Sequence, residues 1–97
     1  MRIWIYGGSL EEVREIIEKV VGSGDTVSGT SLLAETDSSF PQSGLLPAIS
    51  AAIRREFDLL LIPTFEMFGS RTKEFTELFQ NYGVSVRSVS SRGIKSS

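Results

Sequence analysis

A serine lies close to the start of the chain, after two glycines and just before a run of helical character. The residues that could form a chemical or anion-binding loop here are Tyr6, Gly7, Gly8 and Ser9. The Ser9 hydroxyl could act as a nucleophile, or the loop N–H groups could bind an anion at a helix N-terminus. The stretch Ser-Leu-Glu-Glu at 9–12 also fits a capping box, in which Glu12 accepts a hydrogen bond from the Ser9 N–H. We expect Ser9 to cap the helix and keep the other two roles as alternatives.

The residue types that are missing limit the chemistry further. The chain has no histidine and no cysteine. A Ser-His-Asp triad, a Cys-His dyad, a disulfide and a thiolate metal site are therefore excluded within this sequence. Any reaction would have to use serine, tyrosine, carboxylates, arginine or lysine. We expect no metal site and no cofactor.

Composition and charge describe an ordinary globular domain. The sequence has 97 residues, 40% of them hydrophobic, and a formal net charge of −2. We expect one domain over 1–97, with 91–97 as a loose tail, a cytoplasmic location and no membrane contact. A net negative charge makes strong independent DNA binding a poor prediction. The charge is also uneven: acidic residues cluster at 11–18, whereas the last eleven residues hold only basic ones. We interpret both runs as solvated surface.

Hydrophobic spacing predicts alternating strands and helices. Strands are predicted at Arg2–Tyr6, Thr26–Ala34, 57–62 and 84–89, and helices at 10–21, Gly44–Glu56 and Ser70–Tyr82. In the second helix, Leu46, Ile49 and Ile53 are expected to face one way. In the third, residues 75, 78, 79 and 82 form a stripe that Gly83 ends. The βαβαβαβ order predicts a three-layer α/β sandwich with a mostly parallel four-stranded sheet.

Ligand sites in such sheets lie at the carboxyl ends of the strands. The segments predicted to meet at that edge are 6–9, the loop 35–43 and 63–70. Any site is expected there.

The sequence resembles the catalytic domain of the serine site-specific recombinases, the resolvase and invertase family. The likeness covers most of the chain and is strongest from Ser43 to Val89. It includes a Gly-Leu that opens a helix at 44–45, the strand F-D-L-L-L-I-P at 57–63, and the closing Y-G-V-S-V-R-S-V at 82–89. The first strand, R-I-W-I-Y, also ends in tyrosine as in the family. The resemblance implies a resolvase-like α/β fold.

The resemblance also implies a reaction. In this family a serine hydroxyl attacks a DNA phosphodiester and forms a phosphoserine link. A hydroxyl is a weak nucleophile and no metal is used, so clustered arginines must stabilise the charge that develops on the phosphate. Carried onto this chain, the catalytic candidates are Ser9, Glu66 and Arg71.

The first family motif, Tyr-x-Arg-x-Ser, is altered in this chain. Gly8 stands in the arginine position and Leu10 in the serine position, so Ser9 lies one residue early. The family's arginine just before Gly-Leu corresponds to Gln42 or Ser43. Neither of these side chains carries a charge.

The second family motif, Asp-Arg-x-x-Arg, is altered as well. Glu66 replaces the acid, but Met67 stands for the first arginine and Ser70 for the second. Arg71 is one position late, which on a helix turns the side chain by about 100°. We interpret the chain as a recombinase scaffold that lacks most of its arginine cluster.

Three functions follow from these residues. The leading hypothesis is a degenerate recombinase domain without strand cleavage that serves as an interaction or assembly module of a mobile element. The alternatives are an active recombinase or invertase domain that uses Ser9, and an anion- or nucleotide-binding domain that uses the 6–9 loop. The expected partners are DNA through a longer parent chain, and a protein or second copy bound through Phe65, Met67 and Phe68.

Overall fold

The computed structural model describes residues 1–33 and 43–89, and strands alternate with helices along them. The strands are β1 (Arg2–Gly7), β2 (Thr26–Leu32), β3 (Leu59–Ile62) and β4 (Ser85–Ser88). The α-helices are α1 (Leu10–Val20), α2 (Leu46–Ile53) and α3 (Thr72–Gln80). Short 3-10 segments, Ser43–Leu45 and Phe65–Arg71, precede α2 and α3. The predicted βαβαβαβ order is confirmed, and the predicted 35–43 loop lies outside the described residues except for Ser43.

The four strands form one parallel sheet in the order β2-β1-β3-β4. Strand β1 is central and pairs with β2 on one side and β3 on the other. Every residue of β3 is buried, as expected for an apolar run covered on both faces. Both edge strands, β2 and β4, alternate between exposed and partly buried residues.

The sheet separates two hydrophobic clusters, which gives the three predicted layers. On one face, α1 places Val13 and Ile16 against β1 and β3. On the other face, α2 and α3 pack over the opposite side chains of the same strands, including Trp4 and Tyr6. The second cluster is rich in aromatic rings, and Trp4 lies 5.6 Å from Phe57 between ring centroids.

Helix α2 packs on the sheet with its small residues, and Leu46 and Ile53 lie on its other side. The helix buries its three alanines, Ala48, Ala51 and Ala52, against the sheet. Leu46 and Ile53 are instead 51% and 54% exposed. The aromatic side chains of the cluster already fill the space above the sheet, so this helix fits there only through small side chains.

Two helix predictions are corrected at their edges. Leu10 and Val20 belong to the apolar stripe of α1 by spacing, but both are exposed, so the buried face of α1 is narrower. Helix α2 ends at Ile53 instead of Glu56 because Arg55 has a left-handed backbone, with φ 58°. The α3 stripe is confirmed, since Phe75 and Phe79 are buried.

No helix among the described residues is long and apolar enough to cross a membrane.

Candidate functional site

Ser9 caps α1 through its side chain. Its backbone is extended, with φ −153° and ψ 162°, and its Oγ accepts a hydrogen bond from the Glu12 N–H at 3.1 Å. The Glu12 Oε1 in turn accepts from the Gly8 N–H at 2.8 Å. The predicted cap is confirmed, but the returning bond comes from Gly8 instead of Ser9. The Ser-x-x-Glu pattern predicts the capping box. It does not predict which backbone N–H donates to Glu12, because that depends on the conformation of the preceding turn.

The two glycines before Ser9 have a packing explanation. A Cβ at Gly7 would lie 2.8 Å from Cγ2 of Val13, and a Cβ at Gly8 would lie 3.0 Å from Oε1 of Glu12. Helix α1 therefore approaches the end of β1 closely enough to require a small residue at position 7. A phosphate-binding role is not needed to explain the glycine pair.

Tyr6 is wholly inside the protein, unlike the loop that follows it. Its side chain has no exposed surface and belongs to the cluster beneath α2 and α3. A Cβ at Gly44 would lie 2.9 Å from Cε1 of the Tyr6 ring, so the 3-10 turn at 43–45 covers the ring closely. Of residues 6–9, only Gly8 and Ser9 are exposed.

The segment after β3 forms the second part of the same sheet edge. Thr64 caps its 3-10 turn, because the Glu66 N–H donates to Thr64 Oγ1 at 3.1 Å. Glu66 and Arg71 are both exposed. Arg71 lies at the junction with α3 and immediately precedes its first residue.

The aromatic residues of this segment divide between the core and the surface. Phe68 is only 2% exposed and stacks against Phe75, with ring centroids 4.8 Å apart. Phe65 is 38% exposed. The sequence predicts Phe68 in a partner-binding surface, and this expectation is wrong because Phe68 is buried in the domain's own core. The Met67 side chain lies outside the part that the structure describes.

The sheet places Ser9 and Arg71 at the same edge but on different sides. Both follow the carboxyl ends of neighbouring parallel strands, β1 and β3. Ser9 begins α1, which packs on one face, whereas Arg71 leads into α3, which packs on the other. The loop 34–42, the third predicted part of this edge, lies outside the described residues.

A solved structure with a similar arrangement is the crystal structure of the C-terminal catalytic domain of ISC1926 TnpA, an IS607-like serine recombinase. The similarity has a TM-score of 0.74, covers 92% of this chain and 69% of that chain, and comes with 21% sequence identity. The chain has the fold of a serine recombinase catalytic domain. The resemblance found in the sequence is therefore confirmed at the level of the fold. No protein-family model matches the sequence, and no curated protein matches it significantly.

On this recombinase fold, three arginines lie at the edge opposite Ser9. Arg2 begins β1 and forms an ion pair with Asp58, just before β3, at 3.2 Å. Arg54 and Arg55 follow α2. The turn that they begin lies beside the first residues of β2, because the Ser28 hydroxyl donates to the Glu56 carbonyl at 2.9 Å. These guanidinium groups belong to the amino-terminal edge of the sheet.

The remaining described arginines are divided between the two faces of the sheet. Arg14 is exposed on α1. Arg87 is exposed on β4 and is paired with Leu61, whose side chain faces α1, so Arg87 lies on the α1 face as well. Arg71 precedes α3 on the other face. Arg92 lies outside the described residues.

Proposed function

We propose that this chain is a serine-recombinase-like domain that does not cleave DNA and acts as an interaction or assembly module. One observation carries the proposal. The Ser9 hydroxyl accepts the Glu12 N–H at 3.1 Å and forms the N-cap of α1. A nucleophile must instead be free to approach a phosphorus atom while a neighbouring group takes its proton.

The arginine positions support the same conclusion. A phosphoryl transition state needs several preorganised cationic donors around one phosphate. Three of the described arginines are on the far edge of the sheet, and two of them, Arg2 and Arg54, are already paired with carboxylates. The loss of even one such donor commonly costs about 10²–10³ in rate.

Two other functions receive less support. An active recombinase would use Ser9 with Glu66 and Arg71. Ser9 begins α1 on one face of the sheet, whereas Arg71 precedes α3 on the other face. An anion-binding loop would use Tyr6 and the glycines, but Tyr6 is buried and the Gly8 N–H already donates to Glu12 Oε1 at 2.8 Å. In effect, a carboxylate of the chain itself occupies the position where a bound anion would accept that bond.

The proposed role in assembly has a candidate contact at Phe65. This side chain is 38% exposed next to the carboxyl edge of the sheet. Phe65 and Met67 remain the proposed contact for a protein partner or second copy, as part of a mobile-element machinery that reaches DNA through a longer parent chain. Light scattering of the wild type and of Phe65→Ser tests this contact, and equal masses at all concentrations would contradict a homodimer.

A covalent-adduct assay tests the lack of cleavage. The full chain is mixed with a library of supercoiled plasmids that carries genomic DNA of the source organism, and the reaction is stopped with detergent. A library is used because the target site is unidentified. An active IS607-like serine recombinase with its own DNA site serves as the positive control. We expect no protein–DNA adduct from the wild type or from Ser9→Ala.

One result would overturn the proposal. A phosphoserine adduct formed by the wild type, and lost in Ser9→Ala, would establish Ser9 as a nucleophile. If Arg71→Gln then also abolished the adduct while Lys73→Gln did not, the active-recombinase alternative would replace the proposal. An adduct that persists in Ser9→Ala would locate the chemistry at another residue and would equally contradict the absence of cleavage.

A further inference from the structure

Helix α2 lies along β2, an edge strand of the sheet, and runs antiparallel to it. Near the start of the strand, the Ser28 hydroxyl donates to the carbonyl of Glu56, which follows α2, at 2.9 Å. At the end of the strand, a Cβ at Gly44, in the 3-10 turn before α2, would collide with the Leu32 carbonyl oxygen. The two elements therefore form one side of the molecule together.

This side of the molecule is built from uncharged residues. None of the seven residues of β2 or the eight residues of α2 carries a charge, although 23% of the chain is charged. By contrast, α1, α3 and the other edge strand, β4, each include charged side chains. Depletion of charge is a property of the central part of protein–protein interfaces. The composition of this side therefore favours a contact with protein.

Helix α2 is apolar on two sides. Its three alanines face the sheet, whereas Leu46 and Ile53 are 51% and 54% exposed on the other side. Ile49 lies between them and is half-buried. The spacing of three and then four residues is that of a coiled-coil seam. We call Leu46, Ile49, Ser50 and Ile53 the outer face of α2. A helix that is apolar all round is normally covered on every side, so this face calls for a partner.

The order of residues in α2 selects a second copy of the chain as that partner. The helix reads L-P-A-I-S-A-A-I, with a large residue at each end and Ile49 and Ser50 in the middle. This size pattern is the same in both directions, so two antiparallel helices related by a two-fold axis are complementary. Leu46 of each copy then contacts Ile53 of the other. We infer that two copies of the chain associate through the outer face of α2.

The charge nearest to this face is already compensated. Arg54 pairs with Glu56 at 2.7 Å and donates to the Ser50 Oγ at 2.7 Å. A two-fold axis brings like groups of the two copies close together, and the outer face of α2 contributes no like charges that would repel. A nucleic acid, in contrast, binds through cations that neutralise its phosphates.

The contact is small, and its size sets the conditions of the test. The eight residues of α2 rise about 12 Å, whereas a standard interface buries about 800 Å² on each partner. We therefore expect association to be weak, with monomers in the dilute protein used for unfolding. The inference depends neither on DNA cleavage nor on the contact at Phe65.

Charged variants of the full chain test the contact in sedimentation experiments at up to about 1 mM protein. The mass of the wild type should rise from one chain toward two. Leu46→Glu alone and Ile53→Arg alone should each dimerise at least about tenfold more weakly, because an unpaired charge is placed in an apolar contact. An equimolar mixture of the two variants should dimerise again, since the introduced carboxylate faces the introduced guanidinium. Both positions are exposed, and circular dichroism verifies that the variants fold.

Disulfide formation tests the antiparallel geometry. The chain has no cysteine, so an introduced cysteine can react only with another introduced one. A mixture of Leu46→Cys and Ile53→Cys, one of them isotope-labelled, should give mixed disulfide dimers at least about tenfold faster than either variant alone, since the sulfur atoms meet only across the axis. Ser23→Cys, in the exposed turn between α1 and β2, is the matched control and should not accelerate dimer formation with either variant.

Three results would overturn the inference. The first is a wild type that stays monomeric up to about 1 mM, with no excess of mixed disulfides over the Ser23→Cys control. The second is Leu46→Cys alone crosslinking as fast as the mixture, which would indicate parallel helices. The third is a dimer that persists in Leu46→Glu and is lost in Phe65→Ser, which would place the contact at Phe65. A dimer that persists in Phe65→Ser and is lost in Leu46→Glu supports the contact through α2.

Discussion

At the scale of single residues, the Ser9 cap combines two local hydrogen bonds. Its hydroxyl accepts from the Glu12 N–H, and the Glu12 carboxylate accepts from the Gly8 N–H at 2.8 Å. Both partners lie within four residues of each other in the sequence. The cap could therefore be predicted from the sequence, because no distant part of the chain decides it.

We expect Ser9→Ala to lower the free energy of unfolding by about 1 kcal/mol, since the Glu12 N–H loses its acceptor at the helix start. Ser9→Asp should keep most of the stability because aspartate is an equally good cap. Urea denaturation followed by circular dichroism measures both variants. The matched control is Ser23→Ala, which replaces an exposed serine in the turn between α1 and β2. This control should leave the free energy of unfolding unchanged. Equal stability of Ser9→Ala and the wild type would contradict the cap's contribution.

Arg55 is the described non-glycine residue with a left-handed backbone, at φ 58°. It ends α2 in a Schellman arrangement: the Arg55 N–H donates to the Ala52 carbonyl and the Glu56 N–H to the Ala51 carbonyl, both at 2.9 Å. Glycine is the residue that usually occupies this position. This chain has an arginine there instead, so the helix was predicted to continue to Glu56.

We expect Arg55→Gly to raise the free energy of unfolding by about 0.5 to 1 kcal/mol, because it removes the Cβ clash of the left-handed region. Arg55→Ala is the matched control, since it removes the same charged side chain but keeps the Cβ. The control should show no gain. Thermal and urea unfolding of the three proteins provide the comparison, and a gain in Arg55→Ala equal to that in Arg55→Gly would attribute the effect to charge instead of backbone strain.

At the scale of secondary-structure elements, the order and direction of the strands followed from the sequence. Strand β3 was recognisable as a central strand because its apolar run is uninterrupted, and all four of its residues are buried. The α3 stripe was recognisable because its large apolar residues recur at helical spacing. Both signals are properties of the element itself.

The orientation of α2 did not follow from the sequence, because neighbours decide it. The large residues Leu46, Ile49 and Ile53 share one side of the helix, yet the alanines face the sheet. Trp4, Phe57 and Phe79 fill that space, and they come from three other parts of the chain. The site was limited in the same way: the sequence does not show that Ser9 begins a helix on one face of the sheet while Arg71 precedes a helix on the other.

We expect substitutions on the two sides of α2 to differ in effect. Ala52→Leu should lower the free energy of unfolding by about 1 to 3 kcal/mol, because it inserts carbon atoms into a filled core. Ile53→Ser, on the exposed side, should change it by no more than about 0.5 kcal/mol. The two residues are adjacent, so each serves as the control for the other in urea unfolding. The reverse order of effects would indicate that the helix presents its large residues to the core.

At the scale of the whole molecule, charges are sorted between the two edges of the sheet. The three described ion pairs lie at the amino-terminal edge. Two of them, Met1–Asp25 and Arg2–Asp58, connect the starts of strands that are far apart in sequence, whereas Arg54 and Glu56 pair within the turn before β3. Among residues 1–33 and 43–89, no ion pair uses a carboxylate of α1. Of the described arginines, Arg2, Arg54 and Arg55 lie at the amino-terminal edge, and Arg71 lies at the carboxyl edge.

The ion pairs at the amino-terminal edge make stability depend on pH. The hydrogen bond from Arg2 lowers the pKa of Asp58, and the hydrogen bond from Arg54 lowers that of Glu56. The Gly22 N–H, and to a lesser extent the N-terminal ammonium group, lowers the pKa of Asp25. A carboxyl group whose pKa is lower in the folded protein stabilises the fold above its unfolded pKa. That stability disappears as the pH falls through the folded pKa.

We therefore expect the free energy of unfolding to be nearly constant from pH 7 to 5 and to decrease below about pH 4, where carboxyl groups ordinarily take up protons. Asp58→Asn removes one of the shifted groups, so its curve should fall less steeply in acid while starting lower at pH 7. Because these side chains are exposed, added salt should reduce the difference between the two proteins at neutral pH. Urea unfolding across pH 2 to 7, at low and high salt, measures both effects. Parallel curves for Asp58→Asn and the wild type would mean that the Arg2–Asp58 pair does not couple proton uptake to folding, and the acid sensitivity would then have to come from the other two pairs.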